Sequence, residues 1–518
     1  MTAHVVNTAI VLLYILSMVG IGWYAKRRAR TQTDFLVAGR RLGPLLYSGT
    51  MAAVVLGGAS TIGGIGLGYT YGISGMWLVF AIGCGILLLS LAFSARINRL
   101  KVFTVGQMLD LRYGNGSRLV SSVVMAMYTL MLAVTSTIAY ATILSVLFDI
   151  GKVPAILLGG GVVVLYSCLG GMWSITLTDF VQFLVKTVGI FAVLLPVVLW
   201  RVGGISGLRE SLPDSFFQPF AIGGDTIVTY FVIYFFGLVI GQDIWQRVFT
   251  ARSDAVARAA GTVAGVYCLA YAVAGALVGM CAAVLAPNLA NSDDAFATVV
   301  ENELPVGLAG LVIAAALAAV MSTSSGALIA TSTVVQQDLV AAWRHRGGAK
   351  PDAEDSADAH DVRGSRLYIL GFGLVMIVLA SLLDDVVAAL TVAYDILVGG
   401  LLVAIVGGLV WRRGTRAGAL VSMALGTVAT LVTMALTDVL ANEPVYVGLL
   451  VSAVSYVAVS LLTPPTPAAV LREWTARSAG HSTVDLTTDR STDRRTDRTV
   501  DLTDADRPAP AARPSKES

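Results

Sequence analysis

The chain has 518 residues, of which 56% are hydrophobic and 13% are charged, whereas a typical soluble domain is about 25% charged. Its net charge of +2 provides no overall field for binding nucleic acid. No CxxC pair occurs among the four cysteines, and the four histidines lie outside the apolar runs, which argues against a disulfide framework or a zinc site. The composition therefore excludes a soluble enzyme, a secreted scaffold and a nucleic-acid-binding protein.

Apolar runs recur along the chain at membrane-spanning length, since a bilayer core of about 30 Å needs about 20 helical residues. We predict an all-α integral membrane protein with thirteen transmembrane helices. The predicted spans are residues 5–25, 44–70, 74–94, 119–147, 154–170, 176–199, 227–240, 259–285, 305–335, 367–382, 386–411, 417–436 and 445–462. Three basic residues, Lys26, Arg27 and Arg28, follow the first run, which indicates a retained helix rather than a cleaved signal peptide.

Basic residues are divided unequally between the two sets of predicted loops. Twenty-two lie on one side of the membrane, and only Lys152, Arg201 and Arg209 lie on the other. Because basic loops stay in the cytoplasm, we predict a multi-pass protein of the cell membrane with its N-terminus outside and its C-terminus in the cytoplasm. Residues 464–518 contain repeated Thr-Asp-Arg units and few apolar residues, which predicts a disordered cytoplasmic tail.

The second predicted span contains six glycines among the twelve residues from 57 to 68. Each glycine in a helix interior costs about 1 kcal/mol relative to alanine, so a helix that only spans the bilayer has no need of such a cluster. Two interpretations remain open. The glycines allow close packing against a neighbouring helix, or they form an unwound segment whose carbonyl groups face a cavity.

The inner half of the ninth predicted span is rich in serine and threonine. Ala319, Ser322 and Thr323 are spaced i, i+3 and i+4, so they share one helical face that offers one carbonyl and two hydroxyl oxygens. Hard monovalent cations bind to several oxygen ligands, including carbonyl groups freed by a broken helix. This face therefore predicts an ion site opposite the glycine-rich segment.

Few ionisable residues lie within the predicted spans, and each is a candidate functional residue. Asp179 is near the start of the sixth span, and Lys186 lies seven residues later on the same face, where it could pair with Asp179 or extend towards the interface. Asp395 lies within the eleventh span and could bind a cation, bind a cationic solute or cap a broken helix. Asp243 is followed four residues later by Arg247, which predicts a structural ion pair.

In their order and spacing, these segments resemble the sodium:solute symporter family over about residues 5–462. The resemblance is carried by residues 34–41, by the glycine-rich residues 59–68, by residues 170–182 with the pattern Thr178-Asp179-x-x-Gln182, by residues 318–325 followed by Gln337-Asp338-Leu339, and by Gln246-Arg247. The family resemblance implies the LeuT-type inverted-repeat fold.

That fold implies two five-helix repeats at residues 44–199 and 227–411, joined by an extracellular loop at 200–226. An N-terminal helix and basic loop precede them at 1–43, and two further transmembrane helices follow at 412–463. The first helix of each repeat would be broken beside the solute, near the middle of the bilayer.

The resemblance also implies a shared sodium site made from backbone carbonyl groups of the first core helix and oxygens of the eighth. It carries over onto Ala59, Ile62, Ala319, Ser322 and Thr323. A second ion site that some members use carries over onto Asp179 and Ser325. Gly326 stands where those members have another hydroxyl group, which argues against a second sodium ion.

We therefore expect a sodium-coupled symporter, not an enzyme, that imports a small organic solute by alternating access. A carboxylate, an amino acid and a quaternary amine remain open as solutes, and the candidate solute residues are Gly63, Gly64, Gly66, Tyr394 and Asp395. Two alternatives are a proton-coupled transporter that uses Asp179 or Asp395, and a channel or sensor of the same fold that does not accumulate its ligand.

Overall fold

The computed structural model describes residues 2–114, 116–346, 357–383, 386–437 and 441–480, and within these ranges the fold is all-α, as predicted. The α-helices are, in chain order, α1 (Thr2–Ala25), α2 (Gln32–Val37), α3 (Pro44–Val55), α4 (Gly64–Tyr71), α5 (Trp77–Leu88), α6 (Ser94–Arg99), α7 (Val105–Tyr113), α8 (Ser117–Phe148), α9 (Lys152–Thr187), α10 (Leu195–Arg201), α11 (Gly204–Ser211), α12 (Gly224–Tyr230), α13 (Phe236–Ile240), α14 (Gln242–Val248), α15 (Asp254–Leu285), α16 (Ala295–Glu303), α17 (Leu308–Val334), α18 (Ala341–Arg346), α19 (Ala357–Leu382), α20 (Val386–Val410), α21 (Arg416–Leu436), α22 (Glu443–Leu462) and α23 (Ala468–Ala479).

Ten helical segments of the described ranges are long and apolar enough to cross a membrane, or eleven if the bent pair Gly224–Ile240 and Gln242–Val248 forms one span. Two of the ten, Ala59–Arg99 with 41 residues and Lys152–Arg201 with 50, are longer than one crossing needs at about 1.5 Å per residue. Each contains a glycine with positive φ, Gly72 or Gly171, that interrupts the helix. A multi-pass, all-helical protein is therefore confirmed, and the number thirteen stays a prediction.

Helix α17 lies at the centre of the bundle, where it packs against α1, α3, α8 and α9. In the most apolar stretch of this segment 94% of the residues are buried, compared with 28% for α1 and for α22. The many alanine, serine and glycine residues of α17 allow the neighbouring backbones to approach closely. The helices α1, α21 and α22 lie at the periphery and leave apolar side chains on the outside of the bundle.

Two apolar helices are interrupted inside the bundle. Helix α3 ends at Val55, and the chain becomes helical again only after Leu56 and Gly57. Helix α13 is followed by Gly241 in an extended conformation (φ −61°, ψ 132°), and α14 continues at a bend of 45°. The predicted break in the first helix of each repeat is therefore present, while the division into repeats at 44–199 and 227–411 stays a prediction.

The glycine-rich segment after the first break is helical rather than unwound. It begins with the π-helical turn Ala59–Gly63 and continues as α4. A Cβ atom at Gly68 would lie 2.6 Å from the carbonyl oxygen of Ala276 in α15, so this glycine allows two helices to touch. Close packing is therefore the interpretation that applies along the segment, and the chain is non-helical only at its N-terminal edge, at Leu56 and Gly57.

The connection before α3 and the connection after α14 lie side by side. The Leu42 amide donates a hydrogen bond to the Thr250 carbonyl (3.0 Å), and the Arg252 amide donates one to the Leu42 carbonyl (3.1 Å). This short parallel bridge joins the ends of the two half-helices that lie furthest from their breaks.

The prediction of a disordered tail over 464–518 is wrong in its first part, where α23 forms. The apolar side of α23 supplies the physical reason, because Trp474 is buried against the bundle. The Arg99 guanidinium also donates a hydrogen bond to the Ala479 carbonyl at the end of this helix (3.3 Å). The predicted disorder of residues 481–518, with the Thr-Asp-Arg units, lies outside the described residues.

Candidate ion and solute site

The carbonyl groups at the end of α3 form the most densely hydrogen-bonded part of the first break. The last carbonyl groups of a helix have no partner within the helix, and here all four from Ala53 to Leu56 accept from side chains. The donors are Ser322 Oγ and Lys186 Nζ to Ala53 (2.8 and 3.3 Å), Thr323 Oγ1 to Val54 (2.8 Å), Ser60 Oγ to Val55 (3.2 Å) and Lys186 Nζ to Leu56 (3.1 Å).

The structure brings the predicted face of α17 to this break. The hydroxyl oxygens of Ser322 and Thr323 also lie 2.8 and 3.4 Å from the Ala319 carbonyl oxygen, so the three residues share one face. A Cβ atom at Gly57 would lie 2.6 Å from Thr323 Oγ1, so glycine is needed for the approach of α17. Carbonyl and hydroxyl oxygens from two helices therefore converge at one buried point.

Among the described residues, the carbonyl groups at the first break that accept from α17 are those of Ala53 and Val54, whereas the family resemblance implies Ala59 and Ile62. Ala59 lies after the break, and its carbonyl accepts a hydrogen bond from the Gly64 amide within the continuing helix. Ala59, Ile62 and Gly63 are half-buried and share one helical face. Ala59 and Ile62 therefore lie beyond the carbonyl groups that accept from α17, and their role as sodium ligands stays a prediction.

The side chain of Lys186 is fully buried in α9 and reaches the end of α3. Besides its two hydrogen bonds there, its ammonium group lies 5.8 Å from the centre of the Tyr271 ring. Among the described residues, its contacts are with carbonyl groups and this ring rather than with a carboxylate at ion-pair distance. The suggested ion pair of Lys186 with Asp179 is therefore not present.

Asp179 instead pairs with Arg247, which comes from α14 after the second break. Both side chains are fully buried, and Arg247 Nη2 lies 3.1 Å from Asp179 Oδ2. Thr50 Oγ1 donates a second hydrogen bond to the same oxygen (2.5 Å). The predicted pair of Arg247 with the Asp243 carboxylate is wrong, since Arg247 bonds to the backbone carbonyl of Asp243 (3.1 Å).

The candidate second ion site contains the Arg247 guanidinium group. A Cβ atom at Gly326 would lie only 2.6 Å from Arg247 Nη2, so the glycine leaves room for this cationic side chain. The Ser325 hydroxyl donates to the Ser322 carbonyl (3.2 Å), and Asp179 is neutralised by Arg247. The absence of a hydroxyl group at Gly326 thus has a physical reason, because a larger residue would displace Arg247.

The three candidate solute glycines have different surroundings. A Cβ atom at Gly63 would have no heavy atom of the described ranges within 4 Å, so Gly63 borders open space there. At Gly64 it would meet Val79 (3.2 Å), and at Gly66 it would meet the Asp293 carboxylate (3.0 Å). Burial and the neighbouring Asp294 raise the pKa of Asp293 above its usual value. Gly64 and Gly66 therefore lie in close contact with neighbouring atoms, Gly63 borders open space, and the contact of any of the three with a solute stays a prediction.

Tyr394 and Asp395 lie on α20, beside the second broken helix. The Tyr394 ring packs edge-on against Tyr128 and Tyr234, with ring centres 5.3 and 5.4 Å apart. It also fills the space left by Gly237 in α13. Asp395 is fully buried, and among the described residues neither of its carboxylate oxygens has a hydrogen-bond partner. The aromatic side chains thus pack on one another, while the carboxylate is left without a donor.

The sequence interpretation missed Thr50, Ala53 and Leu56. Thr50 lies 129 residues from Asp179, so only the fold brings these two together. Ala53 and Leu56 contribute backbone atoms, which leave no signature in side-chain chemistry. The available signal was the N-terminal edge of the glycine-rich segment, because a helix that breaks there exposes the carbonyl groups just before it.

Comparison with known proteins identifies the family. The profile of the sodium:solute symporter family matches residues 35–426, three-quarters of the chain. The chain belongs to this family. Symporter relatives include the osmoregulated proline transporter OpuE of Bacillus subtilis (strain 168), which is 23% identical over 478 residues and covers 87% of this chain and 94% of its own. The sodium/pantothenate symporter of Escherichia coli (strain K12) is 26% identical over 468 residues, with coverage of 86% and 94%.

A solved structure of a Na+-coupled sialic acid symporter, in a substrate-bound outward-open state, matches the present chain with a TM-score of 0.76. At 19% identity it covers 89% of this chain and 98% of its own and establishes the LeuT-type fold. Mhp1, a transporter of the nucleobase-cation-symport-1 family, matches with a TM-score of 0.52 at 15% identity, with coverage of 86% and 98%. Family and relatives indicate that this protein is a sodium-coupled symporter of a membrane rather than an enzyme.

Proposed function

We propose that this symporter uses an inward sodium gradient to import a small organic solute that carries a carboxylate. The single observation that supports the ion site is the convergence of the α3 carbonyl groups on the hydroxyl groups of Ser322 and Thr323. Broken helices beside a midplane site are the usual basis of alternating access in transporters of this architecture.

The proposed sodium ligands are the carbonyl oxygens of Ala53, Leu56 and Ala319 and the hydroxyl oxygens of Ser322 and Thr323. Two properties support this choice. The end of α3 is the negative end of a helix dipole, which favours a cation. Hydroxyl groups that now donate to carbonyl groups can rotate and present their lone pairs to an ion. All five residues are buried, so the ion would exchange its water for protein oxygens.

The proposed solute lies on the other side of the same break, against the half-buried face of Ala59, Ile62 and Gly63. Open space beside Gly63 supports this position. Proline, pantothenate and sialic acid, which the relatives are named for, are all carboxylic acids. Backbone amide groups at the start of the helix after the break are suited to a carboxylate, whereas the tyrosines that would hold a quaternary amine pack on one another.

Coupling would follow because ion and solute share one broken helix. Sodium at the end of α3 would fix the position of Leu56 and Gly57, and with them the start of the helix that faces the solute. Binding of one would then favour the conformation that binds the other, and each shifts the population only by its differential affinity. Rocking of one helix bundle against the other would expose the shared site to each side of the membrane in turn.

Asp395 supports a second candidate, in which a proton is co-transported. A buried carboxylate with no hydrogen-bond donor among the described residues, inside a membrane-spanning helix, is a candidate proton carrier. If Asp395 exchanges a proton during the cycle, a proton gradient alone would drive uptake, and Asp395→Asn would abolish that uptake.

Uptake into proteoliposomes tests these proposals. The purified full chain is reconstituted, and labelled proline, pantothenate, sialic acid and a quaternary amine are offered under an inward sodium gradient, a proton gradient or neither. We expect accumulation of a carboxylate-bearing compound with sodium alone. Equilibration without accumulation under every gradient would favour a channel or sensor, and accumulation under a proton gradient alone would favour the Asp395 mechanism.

A further inference from the structure

The five proposed sodium ligands form an oxygen cage, made of the Ala53, Leu56 and Ala319 carbonyl oxygens and the Ser322 and Thr323 hydroxyl oxygens. This cage does not explain why Lys186 lies beside it. Its ammonium group donates to the Ala53 carbonyl (3.3 Å) and to the Leu56 carbonyl (3.1 Å), which are the two carbonyl groups that we assign to sodium at the end of α3. The side chain is fully buried, so its charge is not solvated by water. A cation that belongs to the protein therefore already holds two oxygens of the sodium site.

The surroundings of Lys186 do not suggest an ordinary buried ion pair. A buried ammonium group normally pairs with a carboxylate, because desolvation of an unpaired charge is costly. The nearby Asp179 carboxylate is held by Arg247 and Thr50 instead. Within the described ranges, carbonyl oxygens and the face of Tyr271 compensate the charge of Lys186. A set of carbonyl oxygens is the usual environment of a small metal cation in a protein, whereas a buried lysine usually pairs with a carboxylate.

We propose that the Lys186 ammonium group is a tethered competitor of sodium at the end of α3. One cation can hold the Ala53 and Leu56 carbonyl oxygens at a time, so sodium binds only after the ammonium group has moved away. The flexible side chain of Lys186 allows this movement without a change in the helix. This inference rests on the proposed sodium site and assigns to it a built-in control of sodium affinity.

The consequence is a lower sodium affinity than the oxygen cage alone would give. If the ammonium group occupies the carbonyl groups in about nine molecules of ten, the apparent dissociation constant of sodium rises about tenfold. If Lys186 had only a structural role, its removal would be expected to lower the sodium affinity rather than to raise it. If Lys186 only stabilised the end of α3, its removal would leave two carbonyl groups unpaired, disturb the cage and weaken sodium binding.

A scintillation proximity assay measures the binding of radioactive sodium to the purified full chain. It shows whether removal of the Lys186 charge raises or lowers the sodium affinity, and it does not require the solute to be known. In Lys186→Met and Lys186→Gln, we expect the half-saturating sodium concentration to fall about tenfold. Glutamine keeps a hydrogen-bond donor for the carbonyl groups and guards against loss of folding in the methionine variant. Lys186→Arg keeps the charge and should bind sodium no more tightly than the unmodified chain.

Lys152→Met is the matched control, because Lys152 begins the same helix and also donates to a backbone carbonyl, that of Leu383 (2.7 Å). Its sodium binding should match that of the unmodified chain. An unchanged or raised half-saturating concentration in either folded neutral variant at position 186 overturns the inference. If sodium still drives uptake in that case, the proposed function stands, whereas failure of sodium-driven uptake in the unmodified chain rejects the proposed function itself.

Discussion

At the scale of single residues, the hydroxyl groups of α17 provide the sharpest test of the sodium site. Thr323→Ala removes one proposed ligand, and an interaction with a charged group is worth about 1.5–3 kcal/mol. We therefore expect the half-saturating sodium concentration for binding to rise about tenfold or more. Ser332→Ala is the matched control, because its buried hydroxyl group donates to the Leu328 carbonyl of its own helix. Equal sodium affinity in both variants would exclude Thr323 as a ligand.

Gly326 provides a second test at this scale, because it makes room for Arg247. In Gly326→Ser, the new Cβ atom would lie 2.6 Å from Arg247 Nη2. Overpacking of a buried position typically costs about 1–3 kcal/mol, so we expect a lower melting temperature in detergent. In Gly371→Ser, where a Cβ atom would have no heavy atom within 4 Å, we expect little change. Equal melting temperatures would mean that Arg247 moves aside freely.

At the scale of elements, the break in α3 must stay close to α17 for the cage to form. Gly57→Ala would place a Cβ atom 2.6 Å from Thr323 Oγ1 and push the two helices apart. We expect weaker sodium binding in the proximity assay, while Gly20→Ala in α1, with open space around it, should bind sodium normally. Normal sodium binding by Gly57→Ala would show that the cage does not need this close approach.

The glycine cluster made a break in the first core helix one of two interpretations, and the break after α13 followed only from the family resemblance. The sequence does not give the residue at which α3 breaks. The helix can end at this point because Ser322 of α17 and Lys186 donate hydrogen bonds to the Ala53 and Leu56 carbonyl groups. Both donors are more than 100 residues away in the sequence. The pairing of Arg247 with Asp179 escaped prediction for the same reason, since Asp243 is near in sequence but Asp179 is near in space.

Helix α23 escaped prediction because its apolar side chains, Val470, Leu471 and Trp474, span only five residues of an otherwise polar segment. Propensity alone favours a solvated chain there, and only contact with the bundle stabilises the helix. Family resemblance indicated the two helices that meet at the first break. Its candidate carbonyl groups, those of Ala59 and Ile62, lie six positions after the ones that we propose, because the glycine-rich segment repeats the small residues by which the motif is recognised.

At the scale of the whole molecule, the number of crossings determines where the ends of the chain lie. An odd number such as thirteen places His4 and Ala479 on opposite sides of the membrane. In a cysteine-free background we expect a membrane-impermeant maleimide to label His4→Cys in intact cells and Ala479→Cys only after permeabilisation. Labelling of both from the outside, or of neither, would indicate an even number of crossings.

The parallel bridge at Leu42 bears on how such a molecule can open. Its two main-chain hydrogen bonds join the segment that enters α3 to the segment that leaves α14. Separation of these segments would leave backbone groups unpaired, which is costly away from water. The two half-helices should therefore move together as one rigid unit during each transport cycle. The ion and the solute would then be released along one shared pathway rather than along two separate ones.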